Sequence, residues 1–167
     1  CGPLLAEIPP ARLFDEFLKL FMAGHGRPTL LLLLRYKLLD SLCTDAAFLI
    51  EKEPRFKNLV TQAMGNTDQR VKDGRHVTPA FLLAALLWPV VQTRADNLVR
   101  GGEATAQAIH SAGQQVIAET CQKMAIPKRF SYPVREIWEL QPRLERQQPK
   151  RVKDLIADRR FRAASQP

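Results

Sequence analysis

Residues 78–91, TPAFLLAALLWPVV, constrain the fold of this chain more than any other stretch. From residue 80 to residue 91 the run is almost wholly apolar. A bilayer crossing needs about 20 such residues, so this segment is too short to leave water that way. An apolar helix of this kind has to be wrapped by other elements, because no side of it is suited to solvent. Thr78 at the N-cap and Pro79 at the first helical position mark its start. Pro89 predicts a kink or a break. The chain then continues helically to about Val99 and stops at Gly101-Gly102.

The rest of the sequence supplies the wrapping. Pro9 and Pro10 open an amphipathic helix over residues 12–21. On a wheel, Leu13, Phe14, Phe17, Leu18, Leu20 and Phe21 share one side, and Arg12, Asp15, Glu16 and Lys19 share the other. Gly24 and Gly26 end it. A second helix is expected over 29–42, with the Leu30–Leu34 run apolar all round and therefore buried. Asp40–Asp45 reads as a turn, and a short helix over 46–51 comes after it. Pro54 starts a helix that runs to Lys72 and ends at Asp73-Gly74. Residues 103–124 form an alanine-rich amphipathic helix. The segment 125–133, AIPKRFSYP, reads as a turn with Ser131 capping the next helix. From Val134, the residues Val134, Ile137, Trp138, Leu140 and Leu144 share a face, opposite Arg135, Glu136, Glu139, Arg143 and Arg146. Pro142 should bend this helix, residues 147–149 should break it, and 150–157 should form a last short one. Strict alternation and β-branched runs are scarce, so no strand is expected. The fold class is all-α, an irregular bundle of seven to eight helices.

A catalytic constellation is absent from the pattern. There is no glycine-rich phosphate loop, no HExxH or CxxC, and no serine elbow. His25, His76 and His110 are scattered, and Cys1, Cys43 and Cys121 lack paired or metal-type spacing. An odd cysteine count in a chain of this length points to a reducing compartment. Asp15-Glu16 belongs to a charged helix face. No metal site and no catalytic residue are expected in this chain. No basic segment precedes an apolar one at the N-terminus, so no signal peptide is read, and no membrane partner is expected.

Charge is the feature with functional content. Residues 1–122 carry 13 Lys/Arg against 12 Asp/Glu, whereas residues 123–167 carry 12 against 5. That asymmetry points to an anionic partner for the C-terminal part. Lys128, Arg129, Arg135, Arg143, Arg146, Lys150, Arg151 and Lys153 are the candidate nucleic-acid-contacting residues, with Arg159, Arg160 and Arg162 beyond them. Guanidinium forks suit phosphate oxygens, and Phe130, Tyr132 and Phe161 lie close by as stacking surfaces. The competing reading is a solvated face, with Arg135, Glu139 and Arg143 bridging at i, i+4.

Five blocks in order carry a resemblance: IPPARLFDEFLKLFMAGHG, LLRYKLLDSL, NTDQRV before VTPAFLLAALLW, AIPKRFSYPVREIWELQPRLERQQPKRVKDLI, and RRFRAA. They resemble the post-catalytic half of bacterial poly(A) polymerases, within the nucleotidyltransferase family that also holds the tRNA CCA-adding enzymes. The resemblance implies the end of a helical neck (residues 1–53) and then a helical RNA-binding body (54–167). It implies a cytoplasmic parent protein that adds AMP from ATP to RNA 3′ ends with Mg²⁺. The catalytic head would lie upstream, and with it the metal-binding carboxylates and the ATP-reading motif. RNA and that head are the implied partners. An alternative is a helical protein-interaction module that docks a partner through an exposed Phe14, Phe17 and Phe21 face.

Overall fold

The computed structural model describes residues 8–157, with side chains through residue 142. Among the described residues there are seven helices and no strand. They are α1 (Pro10–Met22), α2 (Gly26–Arg35), α3 (Leu39–Lys52), α4 (Pro54–Lys72), α5 (Pro79–Arg100), α6 (Thr105–Lys123) and α7 (Lys128–Ala157). The apolar run of the sequence lies in α5, which packs against α1, α3, α4, α6 and α7. Leu82, Leu83, Leu86 and Val91 of α5 are wholly buried. One side stays open: Phe81 is 42% exposed and Trp88 is half-buried.

Pro89 does not break α5, which continues as one helix from Pro79 to Arg100. Proline removes one backbone hydrogen bond and costs about 3 kcal/mol in an isolated helix interior. Here Pro89 is itself buried among the helices that surround α5, so packing on both sides of it holds the axis together. Thr78 occupies the N-cap position with extended backbone, but its hydroxyl makes no capping bond.

Helix α1 buries Leu13, Phe14, Phe17 and Phe21, as its periodicity predicts. Leu20 lies at the margin of the apolar arc and is exposed. The Phe17 and Phe21 rings meet at 4.8 Å, and Phe14 packs on Phe130 of α7 at 5.7 Å. The amide of Ala125 donates to the Pro10 carbonyl at 3.2 Å, so the turn between α6 and α7 is tied to the start of α1. A Phe14/Phe17/Phe21 docking face is therefore not available: these rings are 3%, 1% and 0% exposed.

The α2–α3 region departs most from the sequence reading. Helix α2 starts at Gly26, three residues early, and ends at Arg35. Lys37 then adopts φ +55°, a left-handed turn with no glycine to announce it. The Leu38 amide donates to the Leu33 carbonyl at 2.9 Å and closes this turn, and the Lys37 ammonium pairs with Glu51 of α3 at the surface. Helix α3 is kinked inside the expected 40–45 turn, where Cys43 is non-helical (φ −145°, ψ 75°) and separates a short first segment from the helix that continues over the expected 46–51 stretch. Leu31 and Leu32 of the leucine run are 42% and 53% exposed, because a ten-residue helix lying on one side of the bundle buries only Leu30 and Leu34. Cys43 and Cys121 are free thiols, and burial pushes the Cys43 thiol up to about 12.

Two blocks far apart in sequence meet at the start of α2. The Asp68 carboxylate of α4 accepts the Gly26 amide at 2.6 Å and the Arg27 amide at 2.9 Å. It caps a helix that has no side-chain cap of its own. Gly26 gives this approach its room: a Cβ would lie 3.1 Å from the Phe21 carbonyl and 3.2 Å from Asp68 Oδ1, tight contacts on both sides.

Candidate nucleic-acid interface

Helix α7 carries the basic positions singled out by sequence. Pro127 ends the preceding turn, and its carbonyl accepts the amides of Phe130 and Ser131 at 2.9 and 3.1 Å. The helix therefore starts at Lys128, inside the expected turn. Ser131 is not its cap; the hydroxyl bonds back to the Lys128 carbonyl at 3.3 Å. The backbone continues as one helix through Pro133, Pro142 and Pro149 to Ala157, so the expected break at 147–149 is absent. Each proline deletes a single i→i−4 bond, and the bonds on either side carry the helix past it.

The apolar face of α7 fixes the helix on the core. Val134 is fully buried and Trp138 is 1% exposed. The Trp138 indole N–H donates to the Ala84 carbonyl of α5 at 3.0 Å. On α6, Gly113 leaves room for the indole: a Cβ there would come within 3.1 Å of the ring. His110 of α6 donates Nδ1–H to Glu139 at 2.7 Å and accepts from Gln114 through Nε2, a second clasp between α6 and α7. Leu140, expected inward, is 47% exposed.

With α7 held this way, its first cations face outward. Lys128 and Arg129 are exposed, and Arg135 is half-buried. The Arg129 guanidinium lies 4.9 Å from the Phe130 ring centre, and that of Arg135 lies 4.9 Å from Tyr132. Stacking on an aromatic face leaves a guanidinium's edge donors free for an acceptor. Arg135 Nε is buried without a hydrogen-bond partner among the described residues. The expected Arg135–Glu139 bridge is replaced by the His110–Glu139 pair. Of the proposed stacking surfaces, Tyr132 is 53% exposed, whereas Phe130 is packed against Phe14. Arg143, Arg146, Lys150, Arg151 and Lys153 come later on the same helix, and their side chains lie outside the described residues. Phe161, Arg159, Arg160 and Arg162 lie outside them altogether.

Several charges elsewhere are occupied by ion pairs. Lys19 pairs with Glu16 at 2.8 Å, which lowers the Glu16 pKa, so the Asp15-Glu16 pair belongs to a surface ion pair. Arg55 pairs with Glu53 at 2.7 Å. Arg94 reaches both oxygens of Glu119 at 2.7 Å and Asp45 at 3.0 Å. By contrast Lys128, Arg129 and Arg135 have no carboxylate partner among the described residues. No group of three or more His, Cys, Asp or Glu side chains among the described residues could hold a metal ion. No helix among them is long and apolar enough to cross a membrane. Sequence reasoning placed Trp138 on the apolar face but missed its tie to Ala84 and its seat on Gly113. A spacing pattern cannot show which carbonyl an indole will meet.

Two family models match the chain. Residues 1–49 match "Probable RNA and SrmB-binding site of polymerase A", and residues 101–166 match "Polymerase A arginine-rich C-terminus". Poly(A) polymerase I of Escherichia coli O157:H7 is 40% identical over 164 residues, 96% of this chain and 35% of that protein. The Salmonella typhi protein of the same name is 39% identical over 164 residues, with the same coverage. That of Haemophilus influenzae is 40% identical over 146 residues, 86% of this chain and 32% of its own length. The chain thus spans about a third of the length of the curated relatives it matches.

Proposed function

Because the chain belongs to the poly(A) polymerase family, we propose that it is the RNA-holding helical portion of a polynucleotide adenylyltransferase. The parent protein adds AMP from ATP to RNA 3′ ends with Mg²⁺, in the cytoplasm. The adenylation chemistry lies in a catalytic head, in the two-thirds of the relatives that this chain does not match. The donor set among the described residues fits no metal, so no chemical step is assigned to them. Residues 1–53 act as the end of a neck and 54–167 as the body, a division of roles within one shared core cluster.

The observation that carries this reading is the set of unpaired cations on α7, where Lys128, Arg129 and Arg135 lie without carboxylates on a helix pinned by Trp138. The later positions Arg143, Arg146, Lys150, Arg151 and Lys153 extend the same basic helix. Phosphates bound there release counterions, so affinity falls with salt at a slope of about −0.7 per phosphate contact on a single strand. The protein-interaction alternative loses its basis, because its three phenylalanines are in the core.

The test is fluorescence anisotropy with a labelled oligoadenylate between about 50 and 200 mM salt. Affinity should fall steeply over that range. Changing Arg143, Arg146, Lys150 and Arg151 together to Ala should weaken binding and lower the salt slope by about 3, with the circular-dichroism melt little changed. Unchanged affinity of that variant in low salt would place the interface elsewhere. AMP incorporation by the 167-residue chain alone would overturn the assignment of chemistry to other segments.

A further inference from the structure

Residues 50–100 lie between the two stretches matched by the family models, and they contain an open groove. It has a volume of about 640 Å³ and runs between the C-terminal half of α4, the loop 73–78 and the start of α5. Gly74 makes the loop possible, with φ +66° and its amide on the Val71 carbonyl at 3.0 Å. The turn brings Arg75 and His76 beside Arg70, and all three line the groove. The Arg70 guanidinium donates to the His76 carbonyl at 3.2 Å, which fixes it at the groove edge. Neither Arg70 nor Arg75 has a carboxylate partner among the described residues. The acid that lines the groove, Asp73, is engaged by Gln69 at 2.8 Å.

The floor is aromatic. Phe81 is 42% exposed, although it belongs to the most apolar helix of the protein. It lines this groove and also an adjoining apolar slot of about 210 Å³ that contains Trp88 and borders α7 at Ile137 and Trp138. Two guanidinium groups without carboxylate partners among the described residues, an open phenylalanine and an adjoining apolar slot are the parts of a single-strand site: cations take phosphates, and aromatic faces take bases. A cavity of several hundred Å³ is of the size that encloses a nucleotide-sized ligand. The segment 1–49 also approaches this helix, because Arg27 lies across Gly65 of α4.

We propose that the α4–α5 groove is a second contact site for single-stranded RNA, in which one base stacks on Phe81 and the flanking phosphates meet Arg70 and Arg75. The site rests on the RNA-holding role proposed for α7 and extends the path of the strand from that helix across the α5 slot. Its sequence signal is weak, since Arg70, Lys72 and Arg75 alternate with Asp68 and Asp73 and the local charge is nearly balanced.

The experiment titrates the 167-residue chain with oligoadenylate and reads both anisotropy and tryptophan fluorescence. Trp138 is buried and Trp88 lines the slot, so the quench comes from Trp88 and should vanish in Trp88→Phe. Phe81→Ala should weaken binding at least fivefold with the salt slope unchanged, and Phe81→Tyr should bind like the parent. The pair Arg70→Gln and Arg75→Gln should lower the salt slope by about 1.4. Wild-type affinity in Phe81→Ala and in the arginine pair, beside loss of binding in the α7 variant, would overturn the groove site and leave the α7 reading intact. Salt-independent binding by the parent chain would overturn the α7 reading and the groove with it. Absence of tryptophan quenching at saturating oligoadenylate would overturn the groove site whatever the variants' folding.

Discussion

Replacing Asp68 by alanine removes the cap of α2 and should be among the costliest single changes outside the apolar core. The carboxylate accepts two amides, Gly26 at 2.6 Å and Arg27 at 2.9 Å, and is itself buried. Hydrogen bonds to a charged partner contribute about 1.5–3 kcal/mol each. The two amides differ once the carboxylate is gone. Arg27 is exposed, so its N–H regains water, while the buried Gly26 N–H is left unpaired. The net loss is then about 2–4 kcal/mol, within reach of the upper end for lost helix caps. For a chain of this length that lowers Tm by roughly 4–16 °C. Asp68→Asn should cost about half as much, since its one carbonyl can serve one amide. A double-mutant cycle with Gly26→Ala sharpens the test. In the parent, the new Cβ meets both the Phe21 carbonyl and Asp68 Oδ1. In the Asp68→Ala background only the first clash remains, so the two costs should sum to more than the double variant loses. Urea melts read all four corners. A loss below about 0.5 kcal/mol for Asp68→Ala, the low end for a cap, would refute the claim that this carboxylate holds α2.

Two other contacts give measurable outcomes. Arg94 lowers the Glu119 pKa through its paired hydrogen bonds, so the stability it confers is full above the ordinary value of 4.5 and is lost as pH falls through the lowered one. Glu119 is more than half exposed, so screening holds the contribution to about 0.5–1 kcal/mol; Arg94→Met should lower the melt at pH 7, and the difference from the parent should shrink as pH falls through the lowered Glu119 value. Gly113→Val should cost about 1–3 kcal/mol by forcing the Trp138 ring off its seat, with a red shift in tryptophan emission that a tolerated substitution would not show.

The residues determine by themselves the class of fold and the ends of most helices. Proline at the first positions of α1, α4 and α5, and glycine after α4 and α5, act within a few residues of the chain, so local chemistry announces them. The buried face of α1 is legible for the same reason, since a 3.6-residue period is a local property. The α2–α3 boundary is not, because Lys37 takes a glycine-like conformation that no glycine announces, closed by the Leu38 amide on the Leu33 carbonyl at 2.9 Å. The expected break at 147–149 does not occur, because the hydrogen bonds on either side of Pro149 carry the helix past the single missing one.

The candidate sites divide along the same line. A run of cations at 128–153 is visible as net charge, and family likeness points the same way. Only the tertiary structure decided that Glu139 goes to His110 and so leaves Arg135 free, and that Trp138 anchors α7 through Ala84 and Gly113. Likewise, Asp68 and Gly26 sit 42 residues apart and become one capping unit only when α2 lies on α4. Free charge and buried charge differ by which partner arrives, and partners arrive through packing across the fold, beyond the reach of any local pattern.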